Sequence, residues 1–337
     1  MSESSIKLTA GGPLPQQMAE VDDCDVTDRD SLVQYRARRK EWLGWYELRK
    51  DEPNTIQQQI FSMIFLDLTY RILAEPRQDE NRNVSAKSGL LAHLLDQGYV
   101  ATQVLAIRRL LDRDSDVISV RRLLDDICKH KHLLTREIYV CYDGTPYDPN
   151  AWQSLPQTPM MQMWGIEAPG LGNYLRARFR HEKFDYLSGV SPSERKRSDL
   201  VQERVFDKLR QSLESTPAKG LIKLSNKFFA HAADVDSRGS LEYSGIQLAD
   251  IAEIHRAIIR VERAITDELL YIGVARNVVP MPPLGLLKGL DDPYVTAESI
   301  PKMYERWDKL AAERDRWSQG TGDELIGTPN KPCHSIA

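Results

Sequence analysis

Ile251, Ile254, Ile258, Val261, Ile265, Leu269 and Ile272 follow one another at spacings of three and four residues. At 3.6 residues per turn that spacing puts all seven on one face of an α-helix, whereas the period-two alternation of a strand would scatter them over both faces. A seam of this length has to be buried against other helices in a bundle, and Asp250, Glu253, Arg256, Arg260 and Arg263 are expected on the remaining faces.

The same period recurs elsewhere. Ile56, Ile60, Ile64, Leu68 and Ile72 form a run that follows Asn54, an expected N-cap, and stops at Pro76, with Phe61 and Phe65 widening its buried face. A helix is expected over about 87–112 through Val100, Val104, Ile107, Leu110 and Leu111. Another, from near Asp116, carries Val120, Leu123, Leu124 and Ile127. Their short connection predicts antiparallel packing. Further helices are expected over 171–186, 198–213, from Pro217, and from Pro301 through Met303, Trp307 and Leu310. The only short strand candidate is 137–142. The predicted fold class is therefore all-α: an antiparallel bundle of four to five long helices with an irregular insertion and a C-terminal helical extension.

Length alone, 337 residues at about 150 per domain, suggests two domains, but the periodic text redistributes it. Residues 1–30 read as a flexible acidic tail, with seven acids to two basic residues and Gly11, Gly12, Pro13 and Pro15 breaking any pattern. Residues 31–274 read as the bundle, with an aromatic, proline-rich insertion over about 141–198. Residues 275–337 read as a proline-rich connection, an amphipathic helix and a frayed end. The formal net charge of −4 is owed to the acidic tail, so the body is close to neutral and a polyanionic partner is not excluded.

The most apolar stretch, 55–66, falls short of the roughly 20 residues a membrane span needs, and the first residues do not resemble a signal peptide. The expectation is a cytoplasmic chain with no membrane partner. Cys24, Cys128, Cys141 and Cys333 are far apart and form no CxxC pair, so they read as reduced thiols. Phosphate-loop, dinucleotide, HExxH and GxSxG motifs are all absent, and no cofactor is expected. His130 and His132, two apart, point to different helix faces; the basic turn 129–132 reads as a solvated helix end, and no metal site is expected. His255 flanks the seam and reads as a packing residue.

One histidine has a more specific setting. In LSNKFFAHAADVD, 224–236, Lys227 and His231 share a helix face, and His231 precedes a loop holding Asp234 and Asp236. A helix C-terminus and nearby carboxylates both favour a protonated imidazole, which suits either an acid–base catalyst or a carbonyl-capping side chain.

This text resembles the HEPN superfamily of helical-bundle ribonucleases, and SNKFFAHAAD, YSGIQLADIAEIHRAI and the earlier LAIRRLLDRDSDVISVRRLLDDI are similar to its abortive-infection, AbiU-type branch. The likeness covers 42–272. It implies a homodimer in which two motifs, an arginine a few residues before a histidine, meet across the interface and cleave RNA without a metal. It also implies a role in prokaryotic anti-phage defence, of abortive-infection or toxin–antitoxin type. On this chain the histidine is His231, the polar residue after the arginine is Asn226, and Ser225 stands at the arginine position. Lys227 supplies a point charge nearby, although lysine does not replace the bidentate fork of arginine. Arg108, Arg109 and Arg238 are alternative sources of a guanidinium. The contrasting expectation is a catalytically silent bundle that binds RNA, a nucleotide or a cognate antitoxin protein; a helical scaffold unrelated to the family is the third.

Arg176, Arg178, Arg180, Lys183, Arg195, Lys196 and Arg197, interleaved with Tyr174, Phe179 and Tyr186, have the composition of an electrostatic and stacking platform for single-stranded RNA such as tRNA or mRNA. The plainer reading of the same residues is a charged, solvated surface, and Arg108 is equally explained by pairing with Asp112.

Overall fold

The computed structural model describes residues 18–47, 52–75, 90–151, 171–214, 216–224, 247–272, 277–279, 298–320 and 322–327. Among them are ten α-helices: α1 (Arg29–Tyr46), α2 (Ile56–Ala74), α3 (Leu90–Leu111), α4 (Val120–Lys129), α5 (Arg136–Cys141), α6 (Leu171–Ser188), α7 (Glu203–Leu213), α8 (Thr216–Leu224), α9 (Leu248–Arg263) and α10 (Ser299–Arg316). The chain is all-α. Its β content among the described residues is one isolated bridge, Thr135 to Leu200. No helix of the described residues is long and apolar enough to cross a membrane.

The apolar seams are buried as their spacing requires. Ile251, Ile254, Ile258, Val261, Ile265 and Leu269 are all in the core, as are Ile56, Ile60, Ile64, Leu68 and Ile72 of α2. Each such side chain contributes about 1.5–3 kcal/mol relative to leaving it in water. Helix α9 packs on α3, α4, α7 and α8, while α2 packs on α1, α3 and α10. Arg263, expected on an outer face of the seam helix, is buried instead.

Local chemistry sets where the helices begin. Asp28 caps α1 by accepting the Ser31 N–H at 3.0 Å, and Ser119 caps α4 by accepting that of Arg122 at 2.9 Å. Thr55, one residue beyond the expected Asn54, caps α2 through Gln58, because its hydroxyl sits where the N–H of the third helical residue points. Helix α10 opens at Ser299, so Pro301 lies within its first turn, where the missing N–H breaks no helical bond.

Three expectations change. Residues 136–141 form helix α5 rather than a strand: all six are buried, and a continuously buried run has no periodicity to tell strand from helix. Thr135 caps it, accepting the Ile138 N–H at 3.3 Å.

Residues 18–28, expected as part of the acidic tail, dock on the body, and α1 begins at Arg29. Cys24 and Val26 are buried, and Asp25 pairs with Arg197 at 2.8 Å. Gly144, at φ +94°, accommodates this segment: a Cβ there would lie 2.5 Å from that of Ala19.

The C-terminal helix is part of the core, not an appendage. Met303, Trp307 and Leu310 are buried, and Trp307 meets Phe65 of α2 edge to face at 6.0 Å.

Candidate functional site

Ser225, Asn226, Lys227 and His231 lie outside the described residues, as do Asp234, Asp236 and Arg238. Their flanks are described. Helix α8 ends at Leu224 and α9 begins at Leu248; the two pack on each other, and both pack on α3. Arg109, on the last turn of α3, is exposed and donates to the Asn54 side chain at 2.7 Å, and its neighbour Arg108 is half-buried.

The other described histidines have different occupations. His255 is fully buried, its Nε2 3.0 Å from the Gln103 side-chain oxygen, and burial pushes its imidazole down to about 4. It belongs to the interior and not, as expected, to the edge of the seam. His181 is likewise buried, its Nε2 2.7 Å from the Tyr147 carbonyl, and burial lowers its pKa. His130 Nδ1 lies 2.9 Å from the Asp126 carbonyl at the end of α4, and Lys131 pairs with Glu203. Among the described residues no three His, Cys, Asp or Glu side chains come together as a metal site. Cys24, Cys128 and Cys141 are free, buried thiols.

The basic residues of 176–197 do not share one surface. Arg180 is 2% exposed. Its guanidinium grips the Asp143 carboxylate through both terminal nitrogens, at 2.8 and 2.7 Å, and reaches the Val140 carbonyl at 2.6 Å. Arg195 is forked onto Asp185 at 3.0 and 2.5 Å, beside the fully buried Arg136, which holds both Asp185 and Asp199. Arg197 bridges Glu137 and Asp25, and Arg176 lies 3.8 Å from Asp143. The carboxylates that neutralise Arg180 and Arg197 come from before α6 in the chain, so the expected platform loses Arg180, Arg195 and Arg197 to internal ion pairs. Arg178, paired with Glu182 at 3.0 Å, remains exposed with Phe179 beside it, and Lys196 is exposed as well.

Sequence reasoning did not find a cleft of about 300 Å³ lined by Lys183 and Tyr186 of α6, Arg263, Asp267 and Glu268 at the end of the seam, and Ser318, Gly320, Gly322 and Ile326. Its walls include two π-helical turns that touch, Ala264–Leu269 and Gly322–Ile326. Such turns are rare and are frequent at functional sites. The turn after α9 rewinds the backbone after Arg263, so that Asp267 and Glu268 reach the cleft while Ile265 and Leu269 stay in the core.

Lys183 Nζ donates to Glu268 at 2.8 Å and to the Asp267 carbonyl at 3.2 Å. Arg263 approaches Asp267 at 3.9 Å and Glu262 at 3.6 Å. Burial pushes the Asp267 carboxyl above the ordinary carboxylate range and the Glu268 charge adds to this, against the opposing charges of Arg263 and Lys183. The adjacent acids at 267 and 268 were visible as a pair in the sequence, but the π-turn that redirects them leaves no trace in the apolar spacing.

No family model, curated protein or solved structure matches the chain.

Proposed function

We propose that this protein is a HEPN-like, metal-independent endoribonuclease of prokaryotic anti-phage defence, working as a cytoplasmic homodimer with His231 as general acid/base. The observation that carries the reading is the packing of α8 and α9, which flank the 225–246 text, on each other and on α3, whose sequence holds part of the same resemblance. His181 and His255 are buried and biased to the neutral form, which favours His231 as the proton carrier.

In this reading His231 takes the proton of a ribose 2′-hydroxyl as its oxygen attacks the adjacent phosphorus. The bond to the 5′-oxygen breaks, that oxygen takes up the proton that His231 accepted, and a 2′,3′-cyclic phosphate remains. Asn226 orients the catalytic pair, and Lys227 with an arginine such as Arg109 offsets charge on the pentacoordinate transition state. Ser225 offers one neutral donor where a guanidinium would offer a charged fork.

That substitution favours a second reading, a catalytically silent bundle that binds RNA or an antitoxin protein. Purified protein and a His231→Ala variant, incubated with total RNA in EDTA, separate the two. Cleavage by the wild type and its loss in the variant support the enzyme. Equal cleavage removes His231 from the mechanism, and absence of cleavage in both favours the binding module.

A further inference from the structure

A cavity of about 560 Å³ is lined, among the described residues, chiefly by Met18 and by Arg36, Arg39, Lys40, Leu43 and Glu47 of α1. Spacings of four, three and four put Arg36, Lys40, Leu43 and Glu47 on one helix face, next to the buried face that carries Leu32, Tyr35, Arg39, Trp42 and Tyr46. The three cations there lack counter-charges. Arg39 is 5% exposed, and its Nη2 donates to the Tyr142 hydroxyl at 3.0 Å and the Leu270 carbonyl at 2.9 Å, while its enclosed Nε has no acceptor. Arg180 lies over the same Tyr142 ring at the same 4.6 Å and donates to the same hydroxyl at 3.2 Å, but it also has the Asp143 carboxylate.

Arg36 spends its donors on the Tyr142 carbonyl at 2.7 Å and Cys24 Sγ at 2.9 Å. Among the described residues no carboxylate pairs with Arg36, Arg39 or Lys40. A buried guanidinium without a counter-ion is costly. The neighbouring phenol of Tyr35 does not supply one, because burial pushes it up to about 12. Glu47 is the single acid of the described lining, and its backbone lies about 10 Å along the helix axis from Lys40, at 1.5 Å per residue.

The rest of the wall is apolar. Met18 and Leu43 line it, and the methylene stems of Arg36 and Lys40 add to them. The volume is within the range of small-molecule sites. A hydrated inorganic anion would leave the apolar wall uncovered, and a polyanion would meet Glu47. A carboxylate on an aliphatic chain answers both features, since guanidinium groups match a carboxylate in charge and planar geometry.

We propose that this cavity binds an aliphatic monocarboxylate of medium chain length, with Arg36, Arg39 and Lys40 drawing the carboxylate and Met18 and Leu43 packing on the chain. The site does not rest on the ribonuclease reading, because none of its residues belongs to that chemistry.

The test is calorimetric titration of the full chain with octanoate, with octanamide, which keeps the chain and loses the charge, and with acetate, which keeps the charge and loses the chain. Saturable binding of octanoate is expected, at least about tenfold tighter than either of the others. Lys40 is exposed, so Lys40→Gln should fold normally and weaken octanoate several-fold, and Arg39→Gln should weaken it further. Lys129→Gln, an exposed cation on α4, should leave binding unchanged. The proposal is overturned if octanamide or acetate binds as tightly as octanoate, if octanoate shows no saturable binding up to about 10 mM, or if Lys40→Gln and Arg39→Gln both bind like the wild type. The wild-type comparison of the three probes decides the matter even where Arg39→Gln fails to fold.

Discussion

Arg314 Nη2 lies 3.2 Å from Asp67 Oδ2, joining the last turn of α10 to the middle of α2 through a fully enclosed ion pair. Both oxygens of the same carboxylate share the single Nε–H of Arg71, at 2.9 and 3.0 Å, and one accepts from the Tyr99 hydroxyl at 2.6 Å. Four helices thus converge on a single buried charge, because His255 of α9 also approaches it at 4.0 Å. Burial opposes ionisation of Asp67, yet His255, Arg71, the Tyr99 hydroxyl and Arg314 together hold its carboxyl below the ordinary range.

Removing that charge should be among the most damaging single changes in the molecule. Asp67→Asn leaves Arg71 and Arg314 without their carboxylate and is expected to cost about 3–5 kcal/mol, read from urea denaturation. Arg314→Met leaves Asp67 with Arg71 and Tyr99 and should cost less. The reverse order would mean that Arg314, and not Asp67, is the centre of the cluster.

Stability should fall as the solution is acidified below about pH 6.5. His255 has its folded pKa pushed down to about 4 from an ordinary 6.5, so the unfolded chain binds that proton first and unfolding is favoured across this interval. The loss from His255 is on the order of 3 kcal/mol by pH 4. His181 adds in the same direction. Asp67, whose pKa is lowered, has its contribution in full above its unfolded value and loses it only at more acidic pH. In His255→Gln the slope of unfolding free energy against pH between 6.5 and 4 should be markedly flatter; an unchanged slope would assign the effect elsewhere.

Arg180 and Arg178 are two residues apart and should behave as different kinds of residue. Arg180→Ala strands the largely buried Asp143 and removes a guanidinium packed 4.6 Å over the Tyr142 ring; a loss of about 3–5 kcal/mol is expected. Arg178→Ala should change stability by no more than about 0.5 kcal/mol, since its pair with Glu182 is exposed. In filter binding to single-stranded RNA, any contribution from this face should come from Arg178, Phe179 and Lys196. Equal stability effects at 178 and 180 would contradict the burial described above.

Ile258→Asp should prevent cooperative folding. The side chain is fully enclosed on the α9 seam, and an unpaired carboxylate there costs more than about 4 kcal/mol. A sharp thermal transition retained in this variant would show that α9 is not the centre of the core.

The elements that were legible in the sequence are those whose signal is confined to one helix. The α2 and α9 seams could be read directly, because burial of one face demands apolar residues every three or four positions. Helix α1 was missed: Leu32, Tyr35, Trp42 and Tyr46 are buried, but the buried Arg39 interrupts their apolar character. Helix α5 passed for a strand because it is buried on all sides. Docking of 18–28 depends on Arg197 and Gly144, far along the chain, so its acidic composition alone suggested a tail.

The sequence by itself determined that the chain is helical and where its main seams lie. Tertiary structure decided which charges are interior and which face solvent. Helical period is a property of neighbouring residues, but the fate of an arginine depends on whether a carboxylate from another element is brought within about 3 Å of it, as Asp143 is for Arg180 and Asp67 for Arg314. The cleft at Asp267 has the same origin: a π-turn and two packed elements create it, and only their meeting in space brings Lys183, Tyr186 and Asp267 around one cavity.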